Sequence, residues 1–147
     1  MHGVYGIENK TLRTGVLARE LSADAIMEAL SARRVYATID PALHLEFWLN
    51  DAMMGSALAE RPEGELRARI FANDPTGNVV SRVEIHGGKY DSNGGESAML
   101  LDLPVGPEVR IVEGAVENGY DFYYVAAYRE GAETARAFSA PIWMDNE

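Results

Sequence analysis

The most regular hydrophobic pattern in the chain is a strict alternation of apolar and polar residues, which recurs in several segments after residue 35. In LHLEFWLN (43–50) every second residue is large and apolar, and ELRARIFA (65–72) repeats the pattern with Arg67 and Arg69 between its apolar residues. Because successive side chains of a β-strand point to opposite faces, each segment is predicted to be a strand with one buried face. The residues predicted to face inward are Leu43, Leu45, Phe47, Leu49, Leu66, Ala68, Ile70 and Ala72.

Further strands are predicted in segments rich in β-branched and aromatic residues, separated by turns that contain glycine and proline. NDPTGN (73–78) predicts a turn, and GGKYDSNGGES (87–97) predicts a loop. The other predicted strands cover 15–18, 35–39, 79–87, 98–103, 108–116, 120–130 and 135–144, and in 79–87 the residues predicted to share one face are Val79, Ser81, Val83 and Ile85.

Only one helix is predicted, over about residues 23–32, just before this run of strands. Ser22 is a good N-cap because its hydroxyl can accept a hydrogen bond from a free backbone N–H of the first turn. Asp24 in that turn suits the positive end of the helix dipole. The apolar residues recur at helical spacing and form one stripe, which consists of Ala23, Ile26, Met27 and Leu30.

Seven or eight strands after residue 35 and a single helix define the predicted fold class. It is mainly β: an immunoglobulin-like antiparallel β-sandwich preceded by one α-helix. The chain has no cysteine, so the likeness to immunoglobulin domains is one of architecture. The absence of cysteine also excludes disulfides and zinc sites built on sulfur.

The charge of the chain changes sharply near residue 36. The whole chain has 13 basic and 23 acidic residues, a net charge of −10. Residues 1–36 hold 5 basic and 4 acidic residues, a net of +1, which leaves 8 basic and 19 acidic residues, a net of −11, for residues 37–147. We therefore expect a domain boundary at about residue 36. The acidic balance argues against nucleic acid and against an anionic membrane surface as partners.

Motifs that carry catalysis are missing from the sequence, and its histidines are far apart. His2, His44 and His86 have no second histidine at ligand spacing, and no nucleophile-elbow or phosphate-loop pattern occurs. We expect His44 and His86 to be surface residues of a sheet. The acidic residues Asp91, Glu96 and Asp102 lack the spacing of a calcium loop, so turn chemistry is the preferred interpretation.

Aromatic residues offer a second kind of site, because exposed Tyr and Trp side chains can stack on sugar rings. Trp48, Tyr123 and Trp143 are the candidate ligand-platform residues, with the alternative that these side chains belong to the core. No apolar run approaches the ~20 residues of a membrane-spanning helix. The N-terminus also lacks the pattern of a signal peptide. These features leave the bacterial cytoplasm and an extracytoplasmic location both open.

Motifs at the two ends of the chain can be read together. RTGV (13–16) precedes the helix segment 21–34, which is followed by VYAT (35–38) and LEFWLNDAMMG (45–55). FYYVAAYREG…ARAFSAPIWM (122–144) lies at the other end. These segments resemble the C-terminal region of PHP-type (polymerase and histidinol phosphatase) metallohydrolases, in their carbaryl-hydrolase-like branch. Between them, the resemblance is carried by the D-P-x-G turn at 74–77.

The resemblance implies a division of the chain. Residues 1–36 would be the C-terminal remnant of a PHP catalytic barrel, including the helix, and residues 37–147 would be the β-sandwich domain that follows it. The divalent metal ions would belong to the missing N-terminal barrel, which would also be the partner of this chain. His2 is a candidate metal ligand, because it precedes RTGV as the last ligand motif does in the family.

The function expected from the resemblance is a non-catalytic one. The chain would be the C-terminal β-sandwich portion of a larger, phosphoesterase-like metal-dependent hydrolase, packed against its barrel or shaping it. We expect the chain alone to be inactive and to bind no cofactor, because two-metal hydrolysis needs a cluster of ligands. Two alternatives are a sandwich that binds a carbohydrate or a protein, and a structural domain that forms homo-oligomers through the helix.

Overall fold

Two β-sheets form the framework of the structure, a computed structural model that describes residues 12–90 and 97–144. The described ranges contain twelve strands and one helix. These elements are β1 (Arg13–Val16), α1 (Ala23–Ser31), β2 (Val35–Thr38), β3 (His44–Leu49), β4 (Ala52–Met53), β5 (Ala57–Leu58), β6 (Leu66–Asn73), β7 (Val80–Gly88), β8 (Ser97–Pro104), β9 (Ile111–Val116), β10 (Phe122–Arg129), β11 (Ala137–Ser139) and β12 (Ile142–Met144).

The smaller sheet has four antiparallel strands in the order β4-β3-β6-β9. In its centre Phe47 of β3 lies opposite Ile70 of β6, and Ile70 lies opposite Val112 of β9. On the outer face of the same strands Trp48 lies opposite Arg69. The alternation in 43–50 and 65–72 therefore predicted both strands and both faces correctly.

The larger sheet has eight strands and is organised around β10. One edge of β10 pairs with β12 in its first half and with β11 in its second half, and the other edge pairs with β7, which pairs with β8. β11 continues through β2 to β1, and β12 pairs with β5 in the parallel sense. The predicted segment 135–144 thus forms two short strands, separated by Ala140 and Pro141.

The core lies between the two sheets and consists of the inward-facing residues of both. Burying these large apolar side chains is the main stabilising contribution to the fold. The prediction of a mainly β antiparallel sandwich preceded by one helix is confirmed. The largest fully buried side chains are Tyr123, Phe47, Leu45, Leu49, Met54, Leu66, Ile70, Ile85, Ile142, Met144, Val83 and Val125.

One predicted strand face is partly wrong. Val83 and Ile85 of β7 are buried as expected, but Val80 is buried instead of Val79 and Ser81. The reason is a β-bulge: Tyr128 lies opposite Arg82 while the next residue, Arg129, lies opposite Val80. The extra residue shifts the alternation by one position, which no periodic pattern anticipates.

The segment before residue 36 is joined to the sandwich by hydrogen bonds. β1 pairs with β2 along its whole length, and β2 pairs with β11 at Ala37 and Tyr36. The expected domain boundary at residue 36 falls inside β2. Gly15 of the RTGV motif lies against the ring of Tyr36, where a Cβ atom would lie 2.1 Å from the ring carbon Cζ.

The loop after β2 is held by a buried carboxylate. Asp40 accepts hydrogen bonds from Arg136 Nε at 3.1 Å and from Arg136 Nη2 at 2.7 Å, and Arg129 Nη1 lies 3.5 Å away. Hydrogen bonding from Arg136 lowers the pKa of Asp40 below its usual value. This cluster ties the β2–β3 loop to the end of β10 and to the β10–β11 connection.

Candidate functional site

The helix α1 exposes several apolar side chains to solvent. Its N-cap is Ser22, as predicted, because the Ser22 hydroxyl accepts a hydrogen bond from the Ala25 N–H at 3.2 Å. The helix contacts β1, but Ala29 is its one fully buried residue. Met27 is 61% exposed and Leu30 is 43% exposed.

The helix thus has three faces. Ala25, Ile26 and Ala29 are at least half-buried and lie on the side of the sandwich. Asp24, Glu28 and Ser31 form a polar face, and a hydrogen bond from Arg34 lowers the pKa of Glu28. The third face, which we call the outer stripe, consists of the exposed residues Ala23, Met27 and Leu30. Leu21, which precedes the N-cap, is 97% exposed.

The outer stripe contains three of the four residues predicted to form the apolar side of the helix. Ile26 turns partly toward the sandwich, and the small residues Ala25 and Ala29 make the rest of the contact. Small side chains allow the helix to approach β1 closely. The larger apolar side chains of the stripe stay partly exposed to solvent.

The C-terminal end of α1 is fixed firmly to the sandwich. Arg33, with φ of +56°, donates from Nε to the carbonyl oxygen of Gly55 at 2.9 Å, and its guanidinium lies 5.3 Å from the ring centroid of Trp143. Arg34 donates from Nε to the Leu17 carbonyl at 3.3 Å. The orientation of the outer stripe is therefore set by the fold and not by a flexible linker.

The three predicted platform residues do not form one surface. Trp48 lies on the outer face of the four-stranded sheet, and Trp143 lies in the other sheet beneath Arg33. Tyr123 is 0% exposed, so the expectation that it contributes to a ligand platform is wrong. Its position on β10 has the same inward phase as Val125, which places it in the core.

Tyr123 has a structural role at the crossing from β9 to β10, which belong to different sheets. Its hydroxyl donates to the Glu117 carbonyl at 3.0 Å and accepts from the Tyr120 N–H at 3.2 Å. Burial raises the pKa of Tyr123. A tyrosine at the start of a strand, bonded to the backbone a few residues upstream, is the tyrosine corner of immunoglobulin-type sandwiches.

A shallow depression of about 270 Å³ lies beside Trp48. The guanidinium of Arg69 lies 4.8 Å from the ring centroid of Trp48, and Ile111 on β9 is 57% exposed. Phe71 lies between them, opposite both Glu46 and Ile111 in the register of the sheet. Three apolar side chains and two opposite charges thus surround the depression.

A polar network on the outer face of the larger sheet was not predicted from the sequence. Glu84 accepts hydrogen bonds from Tyr128 at 2.9 Å and from Arg82, and it contacts His86 Nε2 at 3.0 Å. Burial alone would raise the pKa of Glu84, but these partners together lower it. His86 is stacked on Tyr124 with ring centroids 5.0 Å apart, so it is a packed residue rather than an isolated surface histidine.

His44, the candidate metal ligand His2 and the acidic residues are placed as follows. His44 lies 2.7 Å from Glu46 and meets the Phe71 ring edge-on at 5.1 Å. Within residues 12–90 and 97–144, no group of three or more His, Cys, Asp or Glu residues could hold a metal ion. His2, Asp91 and Glu96 lie outside the described residues. In the same described ranges, no helix has the length and apolar character needed to cross a membrane.

The comparisons with known proteins found relatives that are much longer than this chain. An uncharacterized protein of Chlamydia pneumoniae is 28% identical over 141 residues, which cover 90% of this chain and 22% of the relative. Uncharacterized proteins of Chlamydia trachomatis and Chlamydia muridarum are 27% and 28% identical with the same coverage. No protein-family model matches the chain. The chain spans about a fifth of the length of the curated relatives it matches.

Proposed function

We propose that this chain is the non-catalytic C-terminal β-sandwich portion of a larger PHP-type metal-dependent hydrolase, and that α1 seats it on the rest of that protein. The observation that carries the proposal is the outer stripe, in which Met27 and Leu30 are exposed on a helix whose C-terminal end is fixed. We infer that this apolar face packs against another part of the protein, because burying it would stabilise the contact.

The length of the relatives also supports the proposal. In each chlamydial protein the matching region is 22% of the chain, so there it is a minor part of a longer polypeptide. The identification of the parent as a phosphoesterase-like hydrolase rests on the sequence resemblance of segments 13–55 and 122–144. The divalent metal ions and the water-activating groups would be held by the parent's barrel.

The size of the outer stripe favours a contact within one polypeptide over a homodimer. A nine-residue helix is about 14 Å long and presents a face about 10 Å wide, so the stripe covers on the order of 140 Å². A stable interface between free proteins needs about 800 Å² from each partner. Covalent linkage supplies an effective concentration in the millimolar range, and a small contact then suffices.

The proposal is tested with the complete reading frame that encodes this segment. We expect the complete protein to hydrolyse bis(p-nitrophenyl) phosphate with Mn²⁺ and to lose this activity with a chelator, and we expect the isolated chain to be inactive. Two variants test the proposed contact between α1 and the rest of the protein. Met27→Glu changes the outer stripe, and Ser31→Glu, on the polar face of the same helix, is the matched control.

Met27→Glu should lower the thermal stability of the complete protein while leaving that of the isolated chain nearly unchanged. Ser31→Glu should change neither. Metal-dependent turnover by the isolated chain would refute the non-catalytic assignment. Two results would refute the proposed contact between α1 and the rest of the protein: a reading frame that adds no further domain, or a dimer of this chain that Met27→Glu abolishes. Either result would favour the oligomerising alternative.

A further inference from the structure

The depression beside Trp48 brings together three apolar side chains from three neighbouring strands. Trp48 belongs to β3, Phe71 to β6 and Ile111 to β9, and Phe71 and Ile111 lie directly opposite each other in the register. Ile111 is 57% exposed on the outer face of its sheet. A volume of about 270 Å³ is at the lower end of the range of small-molecule sites, which suits one ring-sized ligand.

Two opposite charges flank this apolar floor. Arg69 lies over Trp48 at 4.8 Å and carries hydrogen-bond donors only, whereas Glu46 is an acceptor. Glu46 Oε1 lies 2.7 Å from His44 Nε2. On the far side of Arg69, Glu113 pairs with Arg67 at 2.5 Å. The depression therefore offers one donor group and one acceptor group beside an aromatic ring.

We propose that the Trp48 depression binds the ring of a pyranose sugar. A pyranose has a face of C–H groups that packs on aromatic and aliphatic side chains, and ring hydroxyls that both donate and accept hydrogen bonds. Trp48, Phe71 and Ile111 supply the first kind of contact, and Glu46 and Arg69 supply the second. This site does not depend on the proposed role of α1, which lies elsewhere on the chain.

Other small ligands fit the same groups less well. A phosphate or another anion would meet Arg69 but would be repelled by Glu46. A quaternary ammonium ion beside Trp48 would be repelled by the Arg69 guanidinium. A neutral ligand with an apolar face and hydroxyl groups matches the apolar, donor and acceptor side chains that line the depression.

The test is a fluorescence titration of the chain with methyl pyranosides of glucose, galactose, mannose and N-acetylglucosamine. Trp143→Phe leaves Trp48 as the one tryptophan of the chain, so the signal reports this site alone. We expect saturable binding of at least one of these sugars with a dissociation constant on the order of 1 mM. Glu46→Gln and Ile111→Ala should each weaken binding by about fivefold or more.

Two controls separate this site from the rest of the surface. Tyr90→Ala removes an aromatic ring that is 64% exposed, two residues beyond the end of β7 and outside the depression, and should leave the affinity unchanged. Urea unfolding of each variant confirms that the fold is intact. No saturable signal with any of the four sugars up to about 50 mM would overturn the proposal. Binding that Glu46→Gln and Ile111→Ala do not weaken, or equal binding of inorganic phosphate, would overturn it too.

Discussion

Replacing Tyr123 by phenylalanine removes one oxygen atom from the crossing between the two sheets. The ring itself fits the same buried space, so the change isolates the hydroxyl. That hydroxyl donates to the Glu117 carbonyl at 3.0 Å and accepts from the Tyr120 N–H at 3.2 Å. Each lost hydrogen bond costs ~1 kcal/mol, and a partly buried backbone group left without its partner adds to this. We therefore expect the free energy of unfolding to fall by about 2 kcal/mol.

Equilibrium unfolding in urea, followed by far-UV circular dichroism, measures this loss. With an m-value of about 2 kcal/mol per molar urea, a loss of about 2 kcal/mol lowers the midpoint by about 1 M. The m-value should not change, because the variant buries the same surface. Tyr124→Phe is the matched control: the next residue of β10 points outward, and its hydroxyl makes one exposed contact of 3.3 Å with Ser97.

Tyr124→Phe should shift the midpoint by less than a quarter of that amount, since an exposed hydroxyl loses little when water replaces its partner. Equal midpoints for Tyr123→Phe and the unmodified chain would refute the stabilising role of the Tyr123 hydroxyl. Equal losses for Tyr123→Phe and Tyr124→Phe would show that the measured effect does not come from the two backbone contacts.

Two further predictions concern the loop cluster and the helix anchor. Asp40→Asn should cost about 2 kcal/mol at neutral pH, because it leaves the Arg136 guanidinium without its carboxylate, and urea midpoints measure the loss. Because the pKa of Asp40 is lowered in the folded state, its contribution to the free energy of unfolding is full above the unfolded pKa of 3.8 and declines as the pH falls below that value. The difference in stability between the variant and the unmodified chain should therefore shrink in acid. A constant difference between pH 7 and pH 2.5 would contradict this. Gly55→Ala should cost about 3 kcal/mol in the same assay, because φ is +91° and the new Cβ would lie 2.3 Å from the Arg33 carbonyl oxygen. Gly64→Ala, at φ +77° with no atom within 4 Å, should cost only about 1 kcal/mol, and equal losses at the two glycines would refute the steric part of the argument.

The strands were predictable where one face is buried and the other is exposed to solvent. Leu45, Phe47 and Leu49 alternate with polar or half-exposed neighbours, and the structure buries all three. The face of β7 was predictable only in part, because the bulge at Ser81 adds a residue that shifts the pattern. The two-residue strands β4 and β5 could not be predicted, since two residues carry no periodicity.

The helix shows what a periodic pattern cannot decide. The pattern located α1 to within one residue at its C-terminal end and found its apolar stripe, but it does not name the surface that covers the stripe. In the structure the sandwich takes the side with Ala25 and Ala29, where small side chains allow close approach. Met27 and Leu30 remain exposed.

The candidate sites depend on which strands become neighbours. Trp48 could be named from the sequence as an exposed aromatic residue, but Phe71 and Ile111 become its neighbours only through the order β3-β6-β9. The same holds for Glu84, whose partner Tyr128 is 44 residues away in the chain. Tyr123 and Tyr124 are adjacent on β10, so alternation places one side chain in the core and the other on the outer face. The sequence alone does not show which of the two faces is buried.

Thiol labelling of the outer stripe tests the central claim most directly. The chain has no cysteine, so Met27→Cys introduces one reporter at the middle of the stripe. Glu28→Cys, on the polar face, gives the labelling rate of an exposed thiol, and Ala29→Cys, on the buried face, gives that of a buried thiol. Peptide mapping by mass spectrometry locates the label in the complete protein.

In the isolated chain, the thiols at positions 27 and 28 should react at similar rates, and the thiol at position 29 should react slowly. In the complete protein, the thiol at position 27 should react at least about tenfold more slowly, which corresponds to ~1.4 kcal/mol of docking, while the thiol at position 28 keeps its rate. An unchanged rate at position 27 in the complete protein would contradict the account, because the outer stripe would then be exposed there as well.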